Sequence, residues 1–478
     1  MSNVQRVTRR SVAICVLPFA LASAQGRPVL APGVRQYVAI DSPIVALVHV
    51  RVIDGTGAAA RADQSIVIRD GRIAQVGDAA SLQLPSGAAV IDLSGKSVIP
   101  GLVMVHEHLY YPTAPGVYGN LTESFSRLYL AGGVTSMRTG GNMNGYGELA
   151  LKRSIDRGEK PGPWIDATAP YLEGAGLGLG QVHELTDAAD ARRLIAFWND
   201  AGATSLKAYM HITRDELRAS LDEGHKRGMK LTGHLCSVTY REAAQLGIDN
   251  LEHGFFAASD FVPDKQPDVC PPGAAVQASL QALDVNGSGA MALVRELIQR
   301  GVAVTSTQTV FETFTPGRPL PPGLDVLEPQ LRATFEQRFA ATARSTTSPY
   351  ITLFPKMQKM EVAFLRAGGL LVAGTDPTGG GGVVAGYSDQ REVELLVESG
   401  LTPLEAIKVC TMNGAVYLGR ADRVGSISAG KQADLVVIDG DPSLRIGDIR
   451  KVVTVFKAGV GYDPAKLIAS VKGKVGLF

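Results

Sequence analysis

Short apolar blocks alternate with amphipathic stretches through the middle of the chain. The apolar blocks end at residues 106–108, 138–139, 169–170, 207–209, 234, 253, 307–309 and 376. Helical periodicity occupies intervening segments, among them 187–199, 214–227, 239–246, 290–300 and 361–367. Repeated strand–helix units favour a parallel sheet, and eight of them predict an α/β fold of the (β/α)8 TIM-like barrel type, whose functional sites lie at the carboxyl ends of the strands.

An open doubly wound sheet is the alternative architecture. Such sheets usually carry a glycine-rich phosphate-binding turn after their first strand. In this chain the first predicted strand runs instead into His106, Glu107 and His108, followed by Leu and Tyr. That turn has no glycine that would cradle a phosphate, so the closed barrel is favoured.

Both ends of the chain show the pattern of β-strands. A strand is predicted at 48–55, and a hairpin around an Asp-Gly turn at 65–77. Similar strands recur at 433–440 and 452–456. We therefore predict that the two ends join in one small β-sandwich. Its N-terminal part covers residues 25–98, the barrel 99–420, and the C-terminal part with a tail 421–478.

Residues 1–24 have the features of a signal peptide. Arg6, Arg9 and Arg10 precede an apolar run at 11–22, and an Ala-Ser-Ala sequence at 22–24 resembles a cleavage site. The adjacent arginines fit either a twin-arginine signal or an ordinary secretory signal. Both predict a periplasmic or secreted bacterial protein. No segment is long and apolar enough to predict a membrane span.

Composition limits the classes of partner. The chain of 478 residues is 45% hydrophobic and 19% charged, with a net charge of +1, which is ordinary for a globular enzyme and lacks the basic excess of nucleic-acid-binding proteins. A small-molecule substrate is therefore expected, and a homo-oligomer is left open. If the signal is removed, Cys236, Cys270 and Cys410 remain, which allows one disulfide without fixing the pair.

Four of the eight histidines fall at the ends of predicted strands. His106 and His108 are two residues apart, so on a strand both imidazoles point to the same face. His234 and His253 each end a further strand. A lone histidine there is more often a core residue, but four at one end of a barrel predict metal ligands.

Lys207 and Asp376 are the other candidates for chemistry. Lys207 lies in a largely apolar strand, where a buried amine is costly unless it is paired or modified. An ion pair, a Schiff-base nucleophile and a carbamate formed with carbon dioxide are all compatible with that position. Asp376 ends the last strand. There it would serve as a helix cap or surface acid, or ligate a metal and accept a proton from bound water.

Two long segments, 255–289 and 311–346, exceed ordinary loop lengths. They predict lids or pocket walls, with surface padding or a subunit contact as the alternative. The glycines at 379–382 predict either a close approach of backbone to substrate or a flexible loop. The candidate substrate-binding residues, of which His183 and His211 lie in loops on the functional side, are Tyr110, Arg138, His183, Tyr209, His211 and Tyr240.

At these positions the chain resembles the amidohydrolase superfamily, over residues 47 to 441. An Ile-Pro-Gly-Leu segment at 99–102 leads into the His-Glu-His turn, as in the family's first-strand motif. The six candidate residues occur in the family's order, with a Gly-Thr pair before Asp376. Glycine-containing segments at 425–427 and 430–435 resemble the family's return to the sandwich. Within the superfamily the chain is most similar to the imidazolonepropionase-like and Xaa-Pro dipeptidase-like branch.

The resemblance implies two divalent cations, usually zinc. One would be held by His106, His108 and Asp376 and the other by His234 and His253. Carboxylated Lys207 and a hydroxide would bridge the two. The hydroxide would then cleave an amide-type C–N bond in a dipeptide or N-acyl amino acid, with Asp376 as the proton shuttle. Carbamates, ureas, lactones and aromatic amides are the alternative substrates. A non-catalytic scaffold is the third alternative, and its usual loss of ligands is not seen in this sequence.

The chain departs from the family pattern at two places. Met104 stands where the family commonly has Asp, so one acid that supports the metal ligands is missing. Cys236 stands where the dipeptidase-like enzymes often have a tyrosine that holds the substrate carboxylate. An Xaa-Pro substrate therefore requires another residue for that anion, for which Tyr240, Arg138 and Arg241 are the candidates.

Overall fold

The computed structural model describes residues 29–114, 116–143 and 145–478. The predicted signal peptide at 1–24 lies outside these residues. Within the described part of the chain, no helix combines the length and the apolar character that crossing a membrane requires.

The strands lie mainly at the two chain ends and in the alternating middle. In chain order they are β1 (Val38–Ile40), β2 (Ile44–Val52), β3 (Arg61–Arg69), β4 (Arg72–Asp78), β5 (Ala89–Asp92), β6 (Ser97–Pro100), β7 (Leu102–Glu107), β8 (Tyr110–Ala114), β9 (Val117–Asn120), β10 (Val134–Thr139), β11 (Trp164–Asp166), β12 (Ser205–Ala208), β13 (Lys230–Gly233), β14 (Asn250–Glu252), β15 (Ala303–Ser306), β16 (Leu371–Ala373), β17 (Leu435–Ile438), β18 (Val452–Lys457) and β19 (Val460–Tyr462).

Helices connect most of the middle strands. The α-helices are α1 (Pro32–Arg35), α2 (Thr122–Ala131), α3 (Tyr146–Asp156), α4 (Ala188–Ala201), α5 (Arg214–Lys226), α6 (Tyr240–Leu246), α7 (Gly273–Ala282), α8 (Ser288–Gln299), α9 (Gln308–Glu312), α10 (Pro329–Ala343), α11 (Tyr350–Arg366), α12 (Tyr387–Glu398), α13 (Pro403–Lys408), α14 (Gly414–Tyr417) and α15 (Pro464–Val471). Short 3-10 turns lie at Leu324–Val326 and Ile446–Arg450, and a π-helical turn at Val409–Asn413 joins α13 to α14.

Eight parallel strands form the predicted barrel. They pair as β11-β10-β7 and as β12-β13-β14-β15-β16. A bridge between Thr168 and Ser205 joins the first group to the second. On the other side, the carbonyl of His106 accepts the backbone N–H groups of Thr375 and Asp376, both at 3.1 Å. These contacts close the ring, so the barrel prediction is confirmed.

The helices between the strands follow from local sequence signals. Thr213 and Thr239 each cap a helix and pair with a glutamate three residues later, in α5 and α6. The predicted strand end at 307–309 is wrong, because these residues open α9 instead. There the carboxylate of Glu392 accepts the backbone N–H groups of Gln308 and Thr309, which pulls the chain out of the sheet direction.

Strands from both chain ends build one further sheet, so the two ends join as predicted, and they do so within a single sheet. Its nine strands run in the order β1-β19-β18-β17-β6-β2-β3-β4, with β5 on β2. The sheet curls, so that the start of β4 hydrogen-bonds to the segment before β17, where the N–H of Ile73 donates to the carbonyl of Lys431. Buried side chains from both ends, such as Leu47 and Phe456, share one core inside it. The sheet fixes the entry into β7 because β6 leads directly into that strand.

The two long segments are partly helical. The first contains α7 and the second contains α10. A disulfide between Cys236 and Cys270 ties the first segment to the loop after β13, and Cys410 is a buried free thiol. The disulfide therefore fastens the first long segment to the loop that follows β13, although no residue of that segment lines the cavity described below.

Replacing both Cys236 and Cys270 with serine is expected to lower the free energy of unfolding by about 3–4 kcal/mol, because the bond closes a loop of 34 residues. Thermal unfolding followed by circular dichroism measures this. Dithiothreitol should lower the unfolding midpoint of the wild type and leave that of the double variant unchanged. Equal midpoints for the two proteins without reductant would contradict the stabilising role.

Candidate metal centre

Six candidate residues from five strand ends line one cavity at the mouth of the barrel. The cavity wall is made by His106, His108, Tyr110, Tyr118, Met143, Tyr171, Leu179, Lys207, Tyr209, His234, His253, Val310, Phe311, Phe314, Asp376, Thr378 and Gly379. His106 and His108 both reach it because they point to the same face. Glu107 between them points away and accepts the backbone N–H of Thr375 at 3.0 Å.

The carboxylate of Asp376 lies at the centre of the imidazoles. Its Oδ1 atom is 3.1 Å from Nε2 of His108 and 3.7 Å from Nε2 of His106. Its Oδ2 atom is 3.7 Å from Nδ1 of His253. The imidazole of His234 stands beside that of His253, with ring centroids 4.4 Å apart. All four rings and the carboxylate therefore converge on one small volume.

Neighbouring groups fix the orientation of three imidazoles. Nδ1 of His108 lies 3.3 Å from the carbonyl of Gly141, which leaves Nε2 directed at Asp376. Nδ1 of His253 lies 2.9 Å from the hydroxyl of Thr307. Nδ1 of His106 contacts the carboxylate of Glu252. A histidine whose second nitrogen is held by a carboxylate or carbonyl is the usual arrangement in metal sites.

Burial keeps the imidazoles neutral. It lowers the pKa of His234 to about 3, and it lowers those of His106 and His253 well below the ordinary histidine value. Burial opposes ionisation of Asp376, but hydrogen bonds to His106 and His108 outweigh it and hold the Asp376 pKa well below its usual range. At neutral pH the site thus offers imidazole lone pairs and one carboxylate, which are metal-binding forms.

Two of these residues have backbone conformations that are rare for side chains other than glycine. His253 has φ of 67° and Asp376 has φ of 53°, both in the left-handed region. Strained backbone of this kind concentrates at functional sites. In His253 the strain also breaks strand alternation, so that both Glu252 and His253 reach His106.

Glu252 is a site residue that sequence reasoning missed. Its Oε2 atom lies 2.7 Å from Nζ of Lys207, and its Oε1 atom accepts from Arg138 at 3.1 Å. If side chains alternated strictly along β14, an inward-pointing His253 would place the preceding Glu252 outside the barrel. The sequence therefore held no usable signal for Glu252. Burial, and then the charge of Arg138, lower the pKa of Lys207 well below its ordinary value.

Of the six candidate substrate-binding residues, the structure brings Tyr110 and Tyr209 to the cavity. His183 does not line it, because its half-exposed ring bonds to Asp190 at 2.8 Å. His211 is held outside in the same way by Glu173, at 2.7 Å. Both histidines lie in loops on the predicted functional side of the barrel. Each imidazole is bound there by a carboxylate and does not line the cavity.

The predictions that Arg138 and Tyr240 bind substrate are wrong as well. The guanidinium of Arg138 is buried inside the barrel, where it donates to Glu252 and to the hydroxyls of Ser205 and Thr232, each of these two at 2.8 Å. The hydroxyl of Tyr240 donates to the backbone carbonyl of Glu252 at 2.9 Å. Both side chains hold the strands together and do not line the cavity.

Aromatic side chains make up most of the remaining cavity wall. Tyr118 comes from the hairpin of β8 and β9, and its ring lies 5.4 Å from that of Tyr110. The hydroxyl groups of Tyr110 and Tyr171 are hydrogen-bonded to each other. Phe311, in α9, and Phe314, in the segment after α9, also line the cavity. The cavity wall thus combines apolar rings with a set of phenol groups.

The donor set fits a divalent cation. Ligand atoms of His106, His108 and Asp376 all lie within 4.8 Å of one another, as do those of His106, Glu252 and His253. Imidazole nitrogens and carboxylate oxygens are the donors that zinc and its neighbours accept. Buried imidazoles gathered around a carboxylate have no other evident use in the barrel mouth.

Sequence comparison with known proteins agrees with the family resemblance of the sequence motifs. A model of the amidohydrolase family matches residues 97–462. The imidazolonepropionase of Porphyromonas gingivalis is 24% identical over 396 residues, which cover 78% of this chain and 82% of that protein. A shorter match to the imidazolonepropionase of Phocaeicola vulgatus is 61% identical over 41 residues, covering 9% of this chain and 10% of that protein.

Solved structures show the same fold. A Xaa-Pro dipeptidase crystallised with methionine in its active site superposes with a TM-score of 0.65, at 19% identity, over 88% of this chain and 100% of that chain. Phenylurea hydrolase B superposes with a TM-score of 0.64, at 21% identity, over 88% of this chain and 97% of that chain.

Proposed function

The chain belongs to the amidohydrolase family and is a hydrolase acting on C–N bonds, and from that premise we propose that it cleaves the amide bond of a dipeptide or an N-acyl amino acid with the help of divalent metal ions. The observation that carries the proposal is the convergence of four neutral imidazoles, Lys207 and Asp376 on one buried cavity. A non-catalytic role is disfavoured because all six candidate residues are present and converge on the cavity.

The residues of the cavity would hold two cations. His106, His108 and Asp376 form one set, as their mutual distances favour, and His234 and His253 belong to the other. When bound, zinc or a similar ion supplies Lewis acidity and makes water a nucleophile near neutral pH. Zinc is our proposal for the metal because imidazole nitrogens dominate the donor set.

Asp376 is positioned to handle the proton. Its carboxylate is ionised at neutral pH, faces the cavity and is held by the hydroxyl of Thr378 at 2.7 Å. An ionised carboxylate can accept the proton released by water and donate it to the departing amine. That transfer is needed because an amine leaves readily only after protonation.

Carboxylation of Lys207 is a further part of the proposal. Burial lowers the pKa of Lys207 well below its ordinary value, which increases the fraction of neutral amine that can react with carbon dioxide. In the described structure Nζ pairs with Glu252 instead. Formation of the carbamate would therefore require the amine to leave Glu252 and turn toward the imidazoles.

A second class of substrate is favoured by the aromatic cavity wall. Phe311 and Phe314 would pack on an aromatic ring, as in an aromatic amide, a carbamate or a urea. Phenylurea hydrolase B shares the fold. The two classes differ in charge, since a dipeptide or an N-acyl amino acid carries a free carboxylate and an aryl urea does not.

Metal removal tests the proposed function. The purified protein is expected to contain about two divalent ions per chain, and dialysis against a chelator should lower amide hydrolysis at least tenfold, with recovery on adding zinc. Inductively coupled plasma mass spectrometry and a panel of dipeptides, N-acyl amino acids, ureas, carbamates and lactones provide the readouts. Replacing the exposed His49 with alanine is the matched control, which should keep both metal and activity.

A metal-free protein with unchanged turnover would contradict the proposal. So would the absence of hydrolysis for every compound of the panel after loading with zinc, manganese or cobalt.

We also propose that the protein is exported from the bacterial cytoplasm. The disulfide between Cys236 and Cys270 supports an oxidising compartment, where such bonds persist. Cell fractionation combined with N-terminal sequencing of the mature protein tests this. An uncleaved chain in the cytoplasm would contradict it.

A further inference from the structure

The guanidinium of Arg338 lies against the glycine run that follows Asp376. Arg338 belongs to α10, and its side chain is exposed. A Cβ atom built on Gly380 would come within 2.2 Å of Cζ of Arg338 and within 2.4 Å of both terminal nitrogens. The guanidinium can therefore lie there only because Gly380 has no side chain.

This guanidinium is close to the cavity. Gly379 and Thr378, the residues just before Gly380, line the cavity wall. The chain from Asp376 to Gly380 spans at most roughly 14 Å when fully extended. Two turns shorten it, since the carbonyl of Asp376 accepts the N–H of Thr378 at 2.6 Å and that of Thr378 accepts the N–H of Gly381 at 3.0 Å.

Within residues 29–114, 116–143 and 145–478, no carboxylate forms a hydrogen bond or an ion pair with Arg338. Arg332, on the same helix, bonds to Glu336 at 2.7 Å. The charge of Arg338 acts instead on Tyr118, a wall residue, where it opposes the rise in pKa that burial and then Asp376 cause. An exposed guanidinium that lies against backbone and has no acidic partner is free to bind an anion.

The other cations near the site are already engaged. Lys207 pairs with Glu252, Arg138 is buried inside the barrel, and Arg241 bonds to Glu296 at 2.9 Å. Cys236, two residues after His234, is bonded to Cys270 in the disulfide. None of these groups can receive a negative charge that arrives at the open end of the cavity.

We propose that Arg338, seated on Gly380, is the anion-binding subsite that receives the free carboxylate of the substrate. The inference rests on the proposed function and deepens it, because it favours dipeptides and N-acyl amino acids over neutral ureas and aryl amides. Phe311 and Phe314 would hold the apolar acyl part while the carboxylate reaches Arg338.

A pair of ligands that cannot be hydrolysed tests the subsite without turnover. β-Benzoylpropionate carries a benzoyl carbonyl and a carboxylate joined by carbon atoms, and β-benzoylpropionamide is its neutral counterpart. Calorimetric titration of the zinc-loaded wild type should show tighter binding of the acid. Arg338→Ala should weaken binding of the acid about tenfold, the cost of about one charge-assisted hydrogen bond, and leave the amide unchanged.

Two further variants separate binding from stability. Gly380→Ala keeps the charge of Arg338 but places a methyl group where the guanidinium lies. It should therefore lower the preference for the acid as Arg338→Ala does. The backbone of Gly380 is outside the left-handed region, so alanine is tolerated there. Arg332→Ala removes an equal charge from the same helix and should keep the preference.

Equal binding of acid and amide by the wild type would overturn the subsite, even if hydrolysis of some other compound in the panel is found. A preference that survives Arg338→Ala would also overturn it. If the acid is preferred through Arg338 but no compound in the panel is hydrolysed, the subsite stands and the proposed function fails. The two proposals are therefore distinguished.

Discussion

Replacing Asp376 with asparagine is expected to lower kcat about 10³-fold, or about 4 kcal/mol in activation free energy. The amide cannot accept a proton, whereas the carboxylate is ionised and faces the four imidazoles. Asparagine also tolerates the left-handed φ of 53° at this position, so the backbone should keep its conformation. Steady-state kinetics on the best substrate of the panel, with metal content measured in parallel, provides the readout.

Asp439→Asn is the matched control, because Asp439 is largely exposed and pairs with Lys96 in the sheet formed by the chain ends. It should retain wild-type kcat. If Asp376→Asn turns over within about tenfold of the wild type while binding the same amount of metal, Asp376 is not the proton shuttle.

Replacing Lys207 with alanine is expected to abolish most activity, by more than about 10²-fold, because loss of even an outer partner of a metal ligand commonly costs about 10–100-fold. A short carboxylate such as propionate should restore part of it, since its two oxygens can occupy the space that the carbamate would fill. Carbon NMR of the wild type in isotopically labelled bicarbonate should show a carbamate signal that the variant lacks.

The ion pair with Glu252 supplies the competing explanation for Lys207. If the lysine acts only by neutralising Glu252, no carbamate signal appears, and propionate fails to rescue the variant. Lys96→Ala, which removes an ammonium from a surface pair, is the control for a general effect of charge.

The sequence contained the information for the metal-binding cluster because its ligands follow simple rules. His106 and His108 share a face by strand periodicity, and parallel strands in a barrel bring their carboxyl ends to one rim. His234, His253 and Asp376 therefore had to lie near the first pair once the barrel was recognised. Their assignment to particular cations stays a prediction.

The substrate-binding residues could not be assigned in this way. Arg138 and Tyr240 are at strand or helix ends, as a ligand contact would be, yet they bond within the wall of the barrel. Tyr118 and Phe314 line the cavity from segments with no periodic signal. Side-chain direction in such segments depends on packing between elements that are distant in sequence.

By itself the sequence determined the strand–helix alternation, the β-rich ends and the six candidate residues at one rim, because each depends on spacing along the chain. Tertiary structure alone decided that Glu252 turns into the barrel, that Cys236 pairs with Cys270, and that Arg338 rests on Gly380. These contacts join residues brought together by the closure of the barrel and the path of the long segments, which no local pattern encodes.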